Sequence, residues 1–327
     1  MFGDYDMRQY ITRRLLLMIP ILIGVSIIVF FLIASIPGDA IDAKFAQSHL
    51  TPQRIAQMKA MLGLNQPVWK RYFTWAGNAI QGNFGFSTQY NLPVSTVIHT
   101  FIWNSFILAL ISFILEMAIA IPVGVYSATK VHSAFDIIFT IIAFAGISLP
   151  SFFLALLLQK GFSVDLGWMP LDGMQTIGVT MTPVQRFADV CQHMVLPVIC
   201  LTMEGIGGTM RYVRTSMLEV VHQDYIRTAR SKGLPERIVI YKHALRNAAI
   251  PIVTFIGGAL PGLFSGALIT ETVFGWPGIG KIFLASIDQR DYMFMMGYVM
   301  LLALLVMLGN LLSDVLYSVV DPRIRLK

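Results

Sequence analysis

Charge is what this 327-residue chain has least of: Asp, Glu, Lys and Arg together supply 13% of it, about half the share of a soluble domain. Apolar residues supply 56%, aromatics 12% and Met 18 positions. That balance excludes a disordered or collagen-like chain and an ordinary water-soluble enzyme, and it fits a chain solvated by lipid. Cysteine is also scarce. Cys191 and Cys200 lie nine apart, too few for a disulfide framework and without metal-site spacing, so both read as buried or interfacial residues. The six histidines (His49, His99, His132, His193, His222, His243) are scattered rather than paired at ligand spacing, which argues against metal binding. An H-E-x-x-H motif and a nucleophile–base pair are both lacking, which leaves an intramembrane hydrolase without its parts.

Acids are outnumbered, 18 against 24 Lys and Arg, giving a net charge of +6. In a soluble protein this excess would point to nucleic acid. In a lipid-solvated chain it encodes topology.

A helix crosses a hydrocarbon core of about 30 Å with about 20 apolar residues, because only a helix satisfies its own backbone groups there. Six stretches qualify: Leu15–Ile36, Phe106–Ala128, Ile137–Leu158, Met194–Met210, Ala248–Ile269 and Met293–Val320. The fourth is short, and the sixth is long enough to tilt or project. Proline interrupts all but the last, at Pro20, Pro122, Pro150, Pro197, Pro251 and Pro261. The fold class expected is therefore an all-α membrane protein with six transmembrane helices. With the amino terminus inside, fifteen cations fall inside and nine outside, which predicts both termini in the cytoplasm. Arg13-Arg14 before an apolar run resembles a secretory or twin-arginine signal, but 22 apolar residues exceed a signal core, so the first helix reads as an uncleaved span.

The organisation read from this pattern is residues 1–36 as inside terminus and first span, 37–105 as an outside subdomain, 106–320 as a five-helix core, and 321–327 as an inside terminus. The outside segment is longer than a connector needs. Thr51-Pro52 reads as a helix start, Ile55, Met58 and Leu62 as one face, and Gly63 as the stop. It serves either as a packing cap or as a docking surface.

The inside loop 211–247 concentrates eight of the fifteen inside cations. Gln223-Asp224 cap a helix that Gly233 ends, and Leu234-Pro235-Glu236 begin a second, with Ile238, Tyr241 and Leu245 on one side and Arg237, Lys242 and Arg246 on the other. Charge alone accounts for a positive-inside loop. Nothing in the hairpin resembles a groove-reading surface, so no nucleic acid is expected.

Ala229 followed four residues later by Gly233, before the penultimate span, resembles the Glu-Ala-Ala-x-x-x-Gly loop of ATP-binding-cassette importer permeases. Arg227-Thr228 stand where that loop has Glu-Ala, and Leu245-Arg246 where Leu-Pro follows. This departure resembles the dipeptide, oligopeptide and nickel permease branch. So do Arg13-Arg14-Leu15-Leu16, Ile36-Pro37-Gly38-Asp39, Leu62-Gly63-Leu64-Asn65-Gln66-Pro67, Asp224 through Leu234, His243 through Ala248, Glu271 through Gly280, and Asp321-Pro322-Arg323. The chain resembles the first of the two permeases in such a system, with a type I importer fold.

The resemblance implies a non-catalytic subunit that imports peptides by alternating access, with nickel or another small solute as the alternative cargo. It implies a second, homologous permease forming a heterodimer, two ATPase subunits that use ATP and Mg, an extracytoplasmic substrate-binding protein, and no cofactor in this chain. It places Ala229 and Gly233 in close contact with an ATPase, with Asp224, Arg227 and Arg230 as the polar rim. An ion-coupled secondary transporter would need none of these partners.

Gly275–Lys281 matches G-x-x-x-x-G-K, yet Ile282 cannot ligate magnesium and Pro277 removes a backbone donor, so a turn near an external gate is expected in place of a nucleotide site. Glu116, Glu204 and Asp314 fall in spans, where acids face a cavity or a partner. The position of Asp314 near a span end suggests structural pairing, and Glu116 and Glu204 are candidates for the substrate pathway. Gly258, Gly262 and Gly266, spaced at four, would give the fifth span a smooth face for a close crossing or for the second permease.

Overall fold

The computed structural model describes residues 3–38, 41, 51–61 and 63–320. Asp39, Leu62 and the Asp321-Pro322-Arg323 segment lie outside the described residues. The apolar run after Arg14 forms α1 (Gly3–Ala34). Beyond it α2 (Pro52–Met61) ends at Gly63, whose φ of +68° reverses the chain, and Ile55 and Met58 share its half-buried side. Then come α3 (Val68–Ile80) and a two-stranded antiparallel ribbon, β1 (Phe86–Ser87) with β2 (Leu92–Pro93), which leads into α4 (Val94–Thr129).

The third expected span is not one straight helix. It divides into α5 (Ala134–Ser148) and α6 (Ser151–Leu158), the latter prolonged by a π-helical stretch to Asp165, with a bend of 104° between the two. Pro150 causes the break: it forces Leu149 into extended backbone, with φ −80° and ψ 126°. Among the described residues five helices are long and apolar enough to cross a membrane, and the bent pair makes a sixth.

The short fourth span is the middle of a 39-residue helix, α7 (Pro183–Val221). A capping box starts it: Gln185 N–H donates to Thr182 Oγ1 while Thr182 N–H donates to Gln185 Oε1. After it come α8 (Asp224–Ser231) and a single turn, α9 (Glu236–Ile238), which a π-helical turn (Val239–Ala244) joins to α10 (Leu245–Ala259). A 3₁₀ stretch (Leu260–Phe264), α11 (Leu268–Val273), α12 (Ile279–Asp288) and α13 (Tyr292–Val320) complete the described chain.

α7 packs along α4, and α1 and α10 pack on α13. Glycine permits the closest approaches. A Cβ on Gly124 of α4 would lie 2.9 Å from Met210 O of α7, one on Gly207 of α7 would lie 2.5 Å from Ala143 O of α5, and one on Gly309 of α13 would overlap Pro261. α1 and α13 are antiparallel and tied at one end, where Asp314 accepts from Tyr10 OH at 2.6 Å and pairs with Arg14 Nη2 at 3.1 Å. The structural pairing expected of Asp314 is what the fold provides.

Candidate functional site

Two regions stand out, a polar hairpin at one end of the bundle and a polar cavity inside it. The hairpin is α8 with α9. Gly233 ends α8 at φ +74°, and a Cβ there would meet nothing within 4 Å. Arg230 crosses the turn to Glu236, with Nη2 to Oε1 at 2.8 Å, and this guanidinium holds the Glu236 carboxyl below the usual range. Asp224 and Arg227 are exposed and face each other at 3.8 Å. Ile226 and Ala229 turn the other way. With Val213 and Met217 of α7, and with Val239, Ala244 and Ala248, they form one buried cluster. Ala229 is therefore packed against its own chain, and the outward residues of α8 are Asp224, Tyr225, Arg227, Thr228, Arg230 and Ser231.

The second arm differs from a plain α-helical reading. Ile238 and Tyr241 are exposed, whereas Val239 and Ala244 are fully buried. The π turn from Val239 to Ala244 brings residues five apart onto one side, so a face counted at 3.6 residues per turn falls out of phase. Gln223 does not cap α8 with its side chain, which bonds instead to Glu219 O at 3.0 Å.

The cavity, of about 440 Å³, brings together Glu116 from α4 and Glu204 from α7, with Ser112, Ser151, Gly205 and the segment from Gly262 to Thr270 apart from Phe264. Among the described residues no Lys or Arg lines it. Glu116 is half-buried, accepts a hydrogen bond from Thr209 Oγ1, and sits so close to Gly205 that a Cβ there would collide with its carboxylate. Glu204 is exposed to the cavity. Two carboxylates without a lining cation make a wall that favours positive groups.

Gly258, Gly262 and Gly266 do not form the smooth helical stripe expected. Helical geometry ends at Phe264, and Gly266 stands in the turn beyond it at φ +70°, where a Cβ would lie 2.6 Å from Gly280 N. Pro261 and the 3₁₀ stretch interrupt the α-helix within the Pro251–Val273 span, and the close helix crossings fall at Gly124, Gly207 and Gly309. Gly258 and Gly262 face open space, and Gly262 and Gly266 line the cavity.

The G-x-x-x-x-G-K segment wraps an acid. Glu271, fully buried, accepts from Ser105 Oγ at 2.6 Å and from the Ala267 and Lys281 N–H groups at 3.0 Å each. Lys281 Nζ bonds to Gly275 O, and Trp276 Nε1 to Asn104 O, both at 3.1 Å. A Cβ on Gly278 would strike the Glu271 carboxylate, so these glycines make room for an acid. Sequence reasoning gave no role to Glu271, nor to the fully buried Asp291, which accepts from Ser87 Oγ and from Gln89 N–H at 3.2 Å. The signal available for Glu271 was its place just before the glycine run.

Models of two families match the chain: the binding-protein-dependent transport system inner membrane component over residues 120–326, and the amino-terminal part of such a membrane component over 7–121. The oligopeptide transport system permease protein AppB of Bacillus subtilis is 40% identical over 323 residues, covering 97% of this chain and 99% of that one. The dipeptide transport system permease protein DppB of Escherichia coli is 37% identical over 346 residues, covering 98% and 100%. A chain of the MetNI methionine ABC transporter, solved in inward-facing conformations, superposes with a TM-score of 0.52 at 18% identity, over 69% of this chain and 97% of that one, a likeness of fold.

Proposed function

The chain belongs to the binding-protein-dependent transport system inner membrane components, and from that premise we propose that it is the peptide-translocating permease of an ATP-driven importer, paired with a second, homologous permease. It is a multi-pass, non-catalytic membrane subunit of the type I importer fold. Its peptide cargo is inferred from relatives named as oligopeptide and dipeptide permeases. The heterodimer, the two ATPases that use ATP and Mg, the extracytoplasmic binding protein and the cytoplasmic placing of both termini belong to the same reading.

The observation that carries it is the covalent link between hairpin and cavity. α7 bears Glu204 and Gly205 on the cavity wall and, some 25 Å further along its axis, ends beside α8. The other hairpin arm passes directly into α10 and then into the Gly262–Thr270 wall. A push on the hairpin therefore reaches two walls of one cavity through two helices, which is what alternating access at a midplane site requires. In this scheme one of the two ATPases docks on the outward residues of α8, with Asp224, Arg227 and Arg230 as rim and Gly233 as the open turn. Ala229 supports that surface from beneath, through its contacts with Ile226 and Val239. Gly258 and Gly262 offer open faces to the second permease. Glu116 and Glu204 receive the cationic end of the cargo.

The test is affinity purification from native membranes, followed by ATP hydrolysis with and without added peptide and binding protein. Co-purification of two ATPases and a second permease, with hydrolysis stimulated by peptide, is the expected result. Stimulation by nickel alone would replace the cargo. Ion-gradient-driven uptake by this chain alone in liposomes would overturn the assignment.

A further inference from the structure

A second cavity, of about 600 Å³, lies at the opposite end of the bundle from the hairpin, beneath α3. α1, α3, α4 and α13 wall it, with Ile23, Ala79, Ile98, Trp103 and Leu304 among its side chains. It shares no residue with the Glu116–Glu204 cavity, and the import scheme does not use it.

α3 has three distinct sides. Tyr72 and Trp75 are buried against Phe30 and Ile33 of α1 and against Met295 and Met296 of α13. Lys70, Thr74, Asn78 and Gln81 follow a polar line. Between these runs an exposed apolar edge, with Trp69 at 60%, Phe73 at 67% and Ile80 at 89% exposure. A helix with a polar side and exposed Trp and Phe on another lies in the membrane–water boundary, where amphipathic rings partition.

The depth of the cavity follows from the spans it touches. Leu22 lies twelve residues before Ala34, the end of the first span, and Leu304 twelve residues after Tyr292, the start of the last. Each distance is about 18 Å of helix, slightly more than one leaflet of a hydrocarbon core about 30 Å thick. The cavity thus runs from the interface to about the bilayer middle. Its rim continues into exposed apolar side chains of the spans, Ile23 at 51% and Trp103 at 48%. Its lining also contains a buried donor, the Trp75 indole N–H, which has no hydrogen-bond partner among the described residues, a costly state in an apolar setting.

We infer that this cavity is a phospholipid site, holding an acyl chain of the leaflet that covers α3. A mostly apolar cavity at that depth disfavours water and is continuous with the hydrocarbon, so a lipid chain fills it with little polar surface to desolvate, Ser95 and His99 being polar exceptions toward the rim. The seated chain supports α3 from below and so joins the outside subdomain to α1 and α13.

The test uses the assembled importer in nanodiscs of phosphatidylcholine that carries a diazirine in one acyl chain, followed by peptide mapping after illumination. Expected labelling includes Ile98 and Leu301 inside the cavity as well as the openly exposed Ile138 and Ile141 of α5. Ala79→Phe, which places a ring in the cavity, should abolish labelling of Ile98 and Leu301 and leave Ile138 and Ile141 labelled. Ala76→Phe does the same from the next turn and replaces the first variant if that one fails to assemble. Unchanged labelling of Ile98 and Leu301 in an assembled variant overturns the site. So does wild-type labelling confined to α5, or a crosslink from Ile98→Cys to the second permease, which would make the cavity a protein seam. None of these outcomes depends on the cargo.

Discussion

Arg214 of α7 grips Asp136 of α5 with both arms of its guanidinium, Nε to Oδ1 at 3.1 Å and Nη2 to Oδ2 at 3.2 Å. Asp136 is 4% exposed and accepts a further bond from His132 N–H at 3.0 Å. The pair fastens the start of α5 to α7 seven residues before α7 ends at the hairpin. Removing Arg214, itself partly exposed, leaves the buried Asp136 without its partner, a loss of at most about 3–5 kcal/mol. Arg214→Met should therefore sharply lower the yield of folded protein and its unfolding temperature in detergent. The double variant with Asp136→Leu should recover much of both, and a double variant no better than the single would refute the pairing argument.

Gly233 separates folding from coupling. Its backbone is left-handed at φ +74°, yet a Cβ would meet open space. Gly233→Ala should cost only the left-handed penalty, about 1–2 kcal/mol, and Gly233→Asn less. A bulky Gly233→Trp should insert and assemble while losing peptide-stimulated ATP hydrolysis. Normal stimulation in that variant would show that no partner approaches the turn.

The cavity acids should separate in the same assay. Glu204→Gln removes a cavity acid that has no side-chain hydrogen bond to lose among the described residues, so peptide uptake should fall while unstimulated ATP hydrolysis persists. Gly205→Ala drives a methyl group into the Glu116 carboxylate, and it should impair uptake as Glu116→Gln does. Wild-type uptake in all three variants would remove these residues from the pathway.

The turn of the hairpin should respond to pH with a defined sign. Arg230 depresses the Glu236 pKa, so the pair's stabilisation is present above the unfolded carboxyl value, about 4.3, and is lost as pH falls through the lower folded value. Amide exchange near Gly233, corrected for its intrinsic pH dependence, should show less protection as pH drops through that window. Glu236→Gln should abolish the change. The effect is small, because both side chains are substantially exposed to solvent.

Hydropathy made α1, α4 and α13 legible, since a helix in lipid needs only length and apolar content to be recognised. Glycine stops were legible as well, because Gly63 and Gly233 take backbone that other residues resist. The π turn at Val239–Ala244 was not, since no residue type marks an extra residue per turn, and the face assigned to Ile238 and Tyr241 rotated out of the core. The stripe of Gly258, Gly262 and Gly266 failed because spacing describes a stripe only while the helix continues, and this one ends at Phe264.

The sequence by itself determined that the chain lives in lipid, where the glycine-ended helices at Gly63 and Gly233 stop, which loop carries the cations, and which family it resembles. All of these rest on local composition or ordered motifs. Only the tertiary structure decided that Glu116 and Glu204 share one cavity, that Ala229 faces inward, that Glu271 fills the space left by Gly278, and that α7 and α10 join the hairpin to the cavity walls. Most of those relations connect residues far apart in the chain and are fixed by how helices cross. The Glu271–Gly278 contact is fixed by how one turn folds back on its helix, and no local pattern of sequence encodes either alone.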